Sequence, residues 1–182
     1  MHVISRLFQK KEISCDICAV RIIWFAKEFK SDKKTTSQRA TQIQYLDYDI
    51  PWGYFDGTSQ GDPPHFGVGV VIYFNQTHFL YNTYLPGRGS NNNAASIGLY
   101  LLLEIENMKS ISRLQVLDDS RLVINWANGR ATVQNTGFEH IQQDIQHLTS
   151  TFEWITFNHF LWELNMEAYA LSKEALDIWI QH

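Results

Sequence analysis

Between Ile50 and Phe74 the apolar residues alternate or run together as they do in β-strands. The stretch IPWGYFDGTSQG, starting at Ile50, is apolar and aromatic until it delivers one carboxylate, Asp56, into a glycine-containing turn. Pro63 and Pro64 then turn the chain, and Phe66 to Phe74 alternates through Val68, Val70 and Ile72. After a turn at Asn75 to Thr77, HFLYNTYL predicts the third strand of an antiparallel meander. PGRGSNNN predicts a loop that offers Ser90 and the asparagines as helix N-caps. The helix that follows carries Ile97, Leu101, Ile105 and Met108 at helical spacing. Arg113 to Asp119 predicts a short strand ending in acids, and Ser120 to Gly129 a helix stopped by glycine. FEHIQQDIQHL reads as an amphipathic helix, Phe152 to His159 as a strand, and NMEAYALSKEALDIWI as the closing helix. The order β-β-β-α-β-α-α-β-α predicts a mixed α/β fold, a five-stranded mixed sheet with helices on its faces.

Ahead of this unit, CAVRIIWFAKEF (Cys18 to Phe29) places Ile22, Phe25, Ala26 and Phe29 at helical spacing. It predicts a docking helix, with Trp24, Phe25 and Phe29 as its contacts to a protein partner through residues 18–29. Lys30 to Gln42 is polar and reads as a linker, with a basic cluster at Lys33, Lys34 and Arg39. The expected division is 1–47, an N-terminal helical extension with a polar linker, and 48–182, the folded domain. Cys15 and Cys18 lack the two further ligands that zinc needs, and read as small apolar residues on one helix face. Trp126, Trp154 and Trp179 read as core residues.

Charge changes the picture more than composition does. The chain has 182 residues, 45% of them hydrophobic, and a formal net charge of −4. Residues 1–49 hold nine Lys/Arg and six Asp/Glu, net +3; residues 50–182 hold six and thirteen, net −7. An acidic domain lacks the cations from which phosphate binding draws its affinity. No apolar run approaches the ~20 residues of a membrane span, so no membrane partner is expected. Without a basic-then-apolar leader, a nuclear or cytoplasmic location is the expectation.

Four blocks carry a resemblance: YFDGTSQG, SNNNAASIGLYLLL, QVLDDSRLVINWANG and NHFLWELNMEAYALSKEAL. Together, in this order, they resemble type 1 ribonuclease H, and more closely the ribonuclease H domains of plant non-LTR (LINE-type) retrotransposon polyproteins. The resemblance implies a ribonuclease H-like fold over about residues 48–182. It also implies four carboxylates holding two divalent ions, magnesium or manganese, that cleave the RNA strand of an RNA–DNA hybrid. Two such ions about 4 Å apart would clamp the attacking and leaving oxygens of the phosphodiester. Asp56 matches the first carboxylate and Asp119 the third, so these are the catalytic and metal positions the resemblance retains. The second falls on Ala95, the fourth on Tyr169, and the family's arginine on Trp162. Two of four ligands are replaced, which implies a catalytically degenerate site.

Neighbouring acids are poor substitutes. Glu104 should face away from Ala95, and Glu106 should share its face but lie ~16 Å along the axis. Asp118 should point to the other side of the sheet from Asp119. Glu167 is turned ~200° from Tyr169, whereas Asp62, in a loop, stays open as a stand-in ligand. By position, the family's contacts to the minor groove and RNA hydroxyls fall on Gly57, Ser59, Gln60, Asn91 and Asn92, with Ser120 beside Asp119. These imply weak binding of an RNA–DNA hybrid or RNA, although asparagines before a helix are equally caps. His159 reads as structural or hydrogen-bonding. Two other readings stay open: a domesticated protein-interaction module, and an active metal-dependent nuclease with a rearranged site.

Overall fold

The computed structural model describes residues 3–7, 10–15, 18–30, 46–132 and 139–180. Strands β4 (Trp52–Gln60), β5 (His65–Asn75) and β6 (His78–Arg88) form the expected meander. Helix α1 (Asn91–Met108) follows, then β7 (Arg113–Asp118), α2 (Arg121–Ala127), α3 (Glu139–Ser150), β8 (Trp154–His159) and α4 (Met166–Ile180). β4 pairs antiparallel with β5 and parallel with β7, and β7 pairs parallel with β8. The loop expected at PGRGSNNN is shorter than the sequence implied, because β6 runs on to Arg88. Ser90 caps α1, with a reciprocal bond from its backbone N–H to Asn93 Oδ1 at 2.9 Å.

The first segment departs from expectation. Residues 18–30 are not a helix but a long strand, β3 (Cys18–Lys30). One edge of β3 pairs antiparallel with β6, and the other with β1 (Val3–Leu7) and β2 (Lys10–Cys15). The N-terminal helical extension is therefore a set of strands that lengthens the five-stranded sheet to the order β1-β3-β6-β5-β4-β7-β8, with β2 beside β3. Two physical reasons favour the strand. Val20, Ile22, Ile23, Trp24 and Phe25 are β-branched or aromatic, and the meander leaves the edge of β6 open to pairing. Cys15 and Cys18 consequently face each other as the last pair of the β2–β3 hairpin. The linker and its Lys33, Lys34 and Arg39 lie outside the described residues.

The sheet divides two cores. Phe55, Val68, Val70 and Ile72 face α1 and α3, packing with Leu99, Leu102, Leu103 and Ile145. The alternate residues Trp52, Tyr54, Val71 and Tyr73 face α4 with Leu117, Phe160 and Ala168. Trp126 packs against the first core as expected. Trp154 does not join it: it starts an edge strand, is 38% exposed, and lies beneath Arg113, whose guanidinium is 5.3 Å from the ring. The packing of Trp179 is outside the described side chains.

On the α4 side the aromatic cluster has a polar clasp. Tyr54 donates a short hydrogen bond to Glu167 Oε2, and Tyr73 reaches the same oxygen at 3.4 Å. Burial, then the neighbouring Tyr73 and Glu167, push the Tyr54 phenol well above its ordinary range, so it stays a donor. Glu167 is thus tied to the sheet through the two tyrosines. Glu106 has the opposite fate. It is fully buried on the sheet-facing stripe of α1, and neither carboxylate oxygen has a hydrogen-bond partner. Burial pushes its pKa up to about 8, opposed only by Lys109.

Two stability outcomes follow from these groups. Tyr54→Phe leaves the Glu167 carboxylate short of a donor and should cost about 1–2 kcal/mol in urea unfolding. Glu106 holds a proton in the folded state that the unfolded chain releases near its ordinary value of 4.5. Its contribution is therefore fully present below that value and is lost as pH rises through about 8. Glu106→Leu should remove this decline between pH 5 and 8 and raise stability at pH 8 by roughly 2 kcal/mol or more. An unchanged pH slope in the variant would contradict the assignment.

Candidate functional site

The carboxyl ends of β4 and β7 lie side by side because those strands pair in parallel from Trp52↔Gln115 to Tyr54↔Leu117. Asp56 sits two residues beyond the last pair on β4, and Asp119 just past the end of β7. Strand alternation sends Asp56 to the face of Tyr54, towards α4, and Gly57 to the face of Phe55, towards α1. The two carboxylates are close enough to repel, and the Asp56 pKa is raised by burial first and by Asp119 as well.

Asp56 is not free. Its Oδ2 accepts a 2.6 Å hydrogen bond from Ser172 Oγ, on α4, and the Gly57 N–H also serves it. Ser172 Oγ is in addition 2.8 Å from the carbonyl oxygen of Tyr169. One hydroxyl proton can serve only one of these acceptors at a time. Asp119 Oδ1 accepts from Asn165 Nδ2 at 2.8 Å, and the same amide nitrogen donates to the Phe55 carbonyl oxygen at 2.8 Å. His159 Nε2 is 3.0 Å from the Asp119 carbonyl oxygen, the hydrogen-bonding role expected of it.

Asp118 corrects one expectation. It keeps the parity of Leu114 and Val116, which face α1, as alternation requires. Because β7 ends there, however, its carboxylate remains 3.5 Å from Asn165 Nδ2 and does not leave the cluster. Burial, then Asp119 and Asp56, push its pKa well above the carboxylate range. Three acids therefore converge where two were expected.

The two positions that the resemblance reads as replaced, Ala95 and Tyr169, lie on α1 and α4. Ala95 is buried on α1 against Gly57: a Cβ on Gly57 would lie 2.3 Å from the Ala95 nitrogen and 2.4 Å from the Ala94 carbonyl carbon. Only glycine admits this contact, so β4 and the start of α1 touch backbone to backbone beside Asp56. Tyr169 is 43% exposed, and Lys173 Nζ stands 5.6 Å from its ring centre. That lysine also draws the Asp56 pKa downwards. Of the proposed stand-ins, Glu104 is buried and bonded to Tyr100, near Asp144 of α3. Asp62 is exposed in the β4–β5 turn.

These residues do not fit a pair of divalent ions. Ala95 offers a methyl group and Tyr169 an exposed ring, while Asp56 Oδ2 and Asp119 Oδ1 already accept from protein donors. Among the described residues, no group of three or more Asp, Glu, His or Cys side chains is placed to hold a metal. Asn165 Oδ1 is buried without a partner, yet a single neutral acceptor does not replace two carboxylates.

The polar rim is assembled separately. Ser59 Oγ donates to the Gly89 carbonyl oxygen at 2.7 Å, tying the end of β4 to the turn before α1. Gln60, Asn91 and Asn92 are exposed at that rim, with Asn93, rather than either of them, closing the capping box. Ser120 is spent as the N-cap of α2, accepting from the Val123 N–H at 3.4 Å. Sequence reasoning missed Ser172, Asn165 and Lys173. The available signal was two polar residues, Asn165 and Ser172, on a stripe of α4 otherwise made of Ala168, Ala175 and Leu176.

Comparison with known proteins agrees with this fold. The family model described as reverse transcriptase-like matches residues 54–175. A bifunctional protein of Mycobacterium tuberculosis is 29% identical over 124 residues, 67% of this chain and 34% of that protein. The chain thus matches about a third of the length of such curated relatives. Among solved structures, the N-terminal ribonuclease H domain of a Mycobacterium tuberculosis protein is 28% identical with a TM-score of 0.67, covering 72% of this chain and 96% of that one. Ribonuclease H1 from Halobacterium salinarum is 26% identical with a TM-score of 0.64, over 70% and 98%. A compost-derived ribonuclease H1, solved with an RNA/DNA hybrid, is 27% identical with a TM-score of 0.63, over 71% and 99%. A matching family model over more than half of the chain, ribonuclease H neighbours and the same mixed sheet lead to one conclusion: this chain belongs to the reverse transcriptase-like family and carries a ribonuclease H-like domain.

Proposed function

We propose that the chain is a ribonuclease H-like module of retroelement descent that binds an RNA–DNA hybrid, or RNA, weakly and without cutting it. The observation that carries this reading is the asymmetry of the site. Ser59, Gln60, Asn91 and Asn92 keep a polar rim, while Ala95 and Tyr169 stand at two of the four ligand positions. Binding without metal is then a matter of hydrogen bonds to sugar hydroxyls in a shallow groove. The low number of cations in residues 50–182, six against thirteen acids, keeps that binding weak. The similarity to a ribonuclease H1 that was solved with an RNA/DNA hybrid supports the choice of ligand.

Residues 48–182 are the functional unit in this reading, with β1, β2 and β3 added at the β6 edge of its sheet. Magnesium or manganese matters to catalysis only where the missing carboxylates are restored. A second reading, an interaction module, is favoured by one observation. Leu161, Trp162 and Tyr169 are 64%, 61% and 43% exposed. Large exposed apolar side chains suit a protein contact better than a solvated rim. A contact through residues 18–29 would use a strand rather than the expected helix, since these residues form β3.

Fluorescence anisotropy with a labelled RNA–DNA hybrid tests the main reading. The natural chain should bind, and Asn91→Ala with Asn92→Ala should weaken binding by roughly fivefold, about 1 kcal/mol. Neither magnesium nor manganese should produce cleavage, whereas Ala95→Glu with Tyr169→Asp should gain it. Cleavage by the natural chain that Asp56→Asn abolishes would overturn the proposal, and so would the absence of any hybrid binding.

A further inference from the structure

Asp56 and Asp119 have work to do that needs neither metal nor nucleic acid. The inward stripe of α4 and the residue before it consists of Asn165, Ala168, Ser172, Ala175 and Leu176, all buried to within 3% of completely. The helix lies so close to the sheet that a Cβ on Gly67 would sit 2.2 Å from the Ser172 carbonyl oxygen, and one on Gly69 2.1 Å from that of Ala168. Such a contact leaves no room for water to serve polar groups on the stripe. A buried hydroxyl or amide without an acceptor is destabilising, so Asn165 and Ser172 belong there only if acceptors meet them.

The acids supply the acceptors that cross from helix to sheet, while Ser172 Oγ also lies 2.8 Å from the Tyr169 carbonyl oxygen of its own helix. Ser172 Oγ reaches Asp56 Oδ2 at 2.6 Å, and Asn165 Nδ2 divides its protons between Asp119 Oδ1 and the Phe55 carbonyl oxygen, both at 2.8 Å. The donors stand seven residues apart, about two helical turns, and their acceptors end two neighbouring strands. We propose that Asp56 and Asp119 serve as anchor acceptors of a metal-independent latch that fastens α4 across the carboxyl ends of β4 and β7. Hydrogen bonds to ionised acceptors are about twice as strong as neutral ones. Lys173, poised over Tyr169, supplies a protein cation near the acids. The latch is independent of hybrid binding and stands or falls without it.

The sign of one substitution separates this role from that of an unused metal site. Two carboxylates kept only for metal repel each other, so neutralising one stabilises the metal-free protein; an anchor gives the opposite result. Urea unfolding of the full chain, Ser172→Ala, Asp56→Ala and the double variant should be measured in EDTA and again in magnesium chloride. Each single variant should be destabilised. The pair should couple by roughly tenfold in the unfolding equilibrium constant, and magnesium should leave the natural midpoint unchanged. If Asp56→Ala does not fold, Asp56→Asn closes the cycle as a weaker acceptor and should still couple severalfold. A stabilising Asp56→Ala, a coupling below about twofold, or a midpoint raised by magnesium would overturn the latch.

Discussion

The direct contact of α4 with the backbone of β5 is the constraint on which the acidic end of the molecule depends. Gly67 and Gly69 lack the side chains that would hold the helix off, so the Ser172 and Ala168 carbonyl oxygens approach the strand to within van der Waals range. At that distance the polar groups on the inward side take partners inside the protein, Asn165 Oδ1 excepted. Asn165 and Ser172 find theirs on Asp119 and Asp56, and Glu167 finds Tyr54. The opposite face obeys the same rule at Gly57, where α1 touches β4 at Ala94 and Ala95. A carboxylate at position 95 would stand beside Asp56; the methyl group there instead completes a dry contact.

Much of this arrangement is legible in local sequence. The β-β-β-α-β-α-α-β-α order follows from alternation and helical periodicity, and Ser90 announces α1 through its capping chemistry. The strand β3 is not legible in that way. Ile22, Phe25, Ala26 and Phe29 satisfy helical spacing in a run whose neighbours are apolar too, so periodicity does not separate the alternatives. What decides is an open edge on β6, more than fifty residues away in the chain at most pairs. Asp118 obeys alternation within β7, yet at the last residue of the strand its carboxylate still lies 3.5 Å from Asn165 Nδ2.

The site divides along the same line. Asp56, Asp119, Ala95 and Tyr169 are placed by resemblance, from blocks that local sequence carries. The role of Ser172 is not, because its acceptor lies 116 residues away and a lone serine on a helix carries no signal of its own. Glu106 shows the complementary limit. Its face on α1 is correctly read from spacing, yet nothing local announces that it is buried without a partner. Both cases turn on pairwise satisfaction across elements, which a one-dimensional pattern does not contain.

In the proposed reading, with Ala95 and Tyr169 at two ligand positions and Asp56 and Asp119 accepting from Ser172 and Asn165, the acids do not assemble around cations. Manganese titration of the natural full chain, followed by electron paramagnetic resonance of the free ion, tests that statement directly. Little or no uptake through the low-millimolar range is predicted, unchanged by Asp56→Asn. Saturable uptake of two ions per chain, lost on Asp56→Asn, would contradict it and restore the acids as a metal centre.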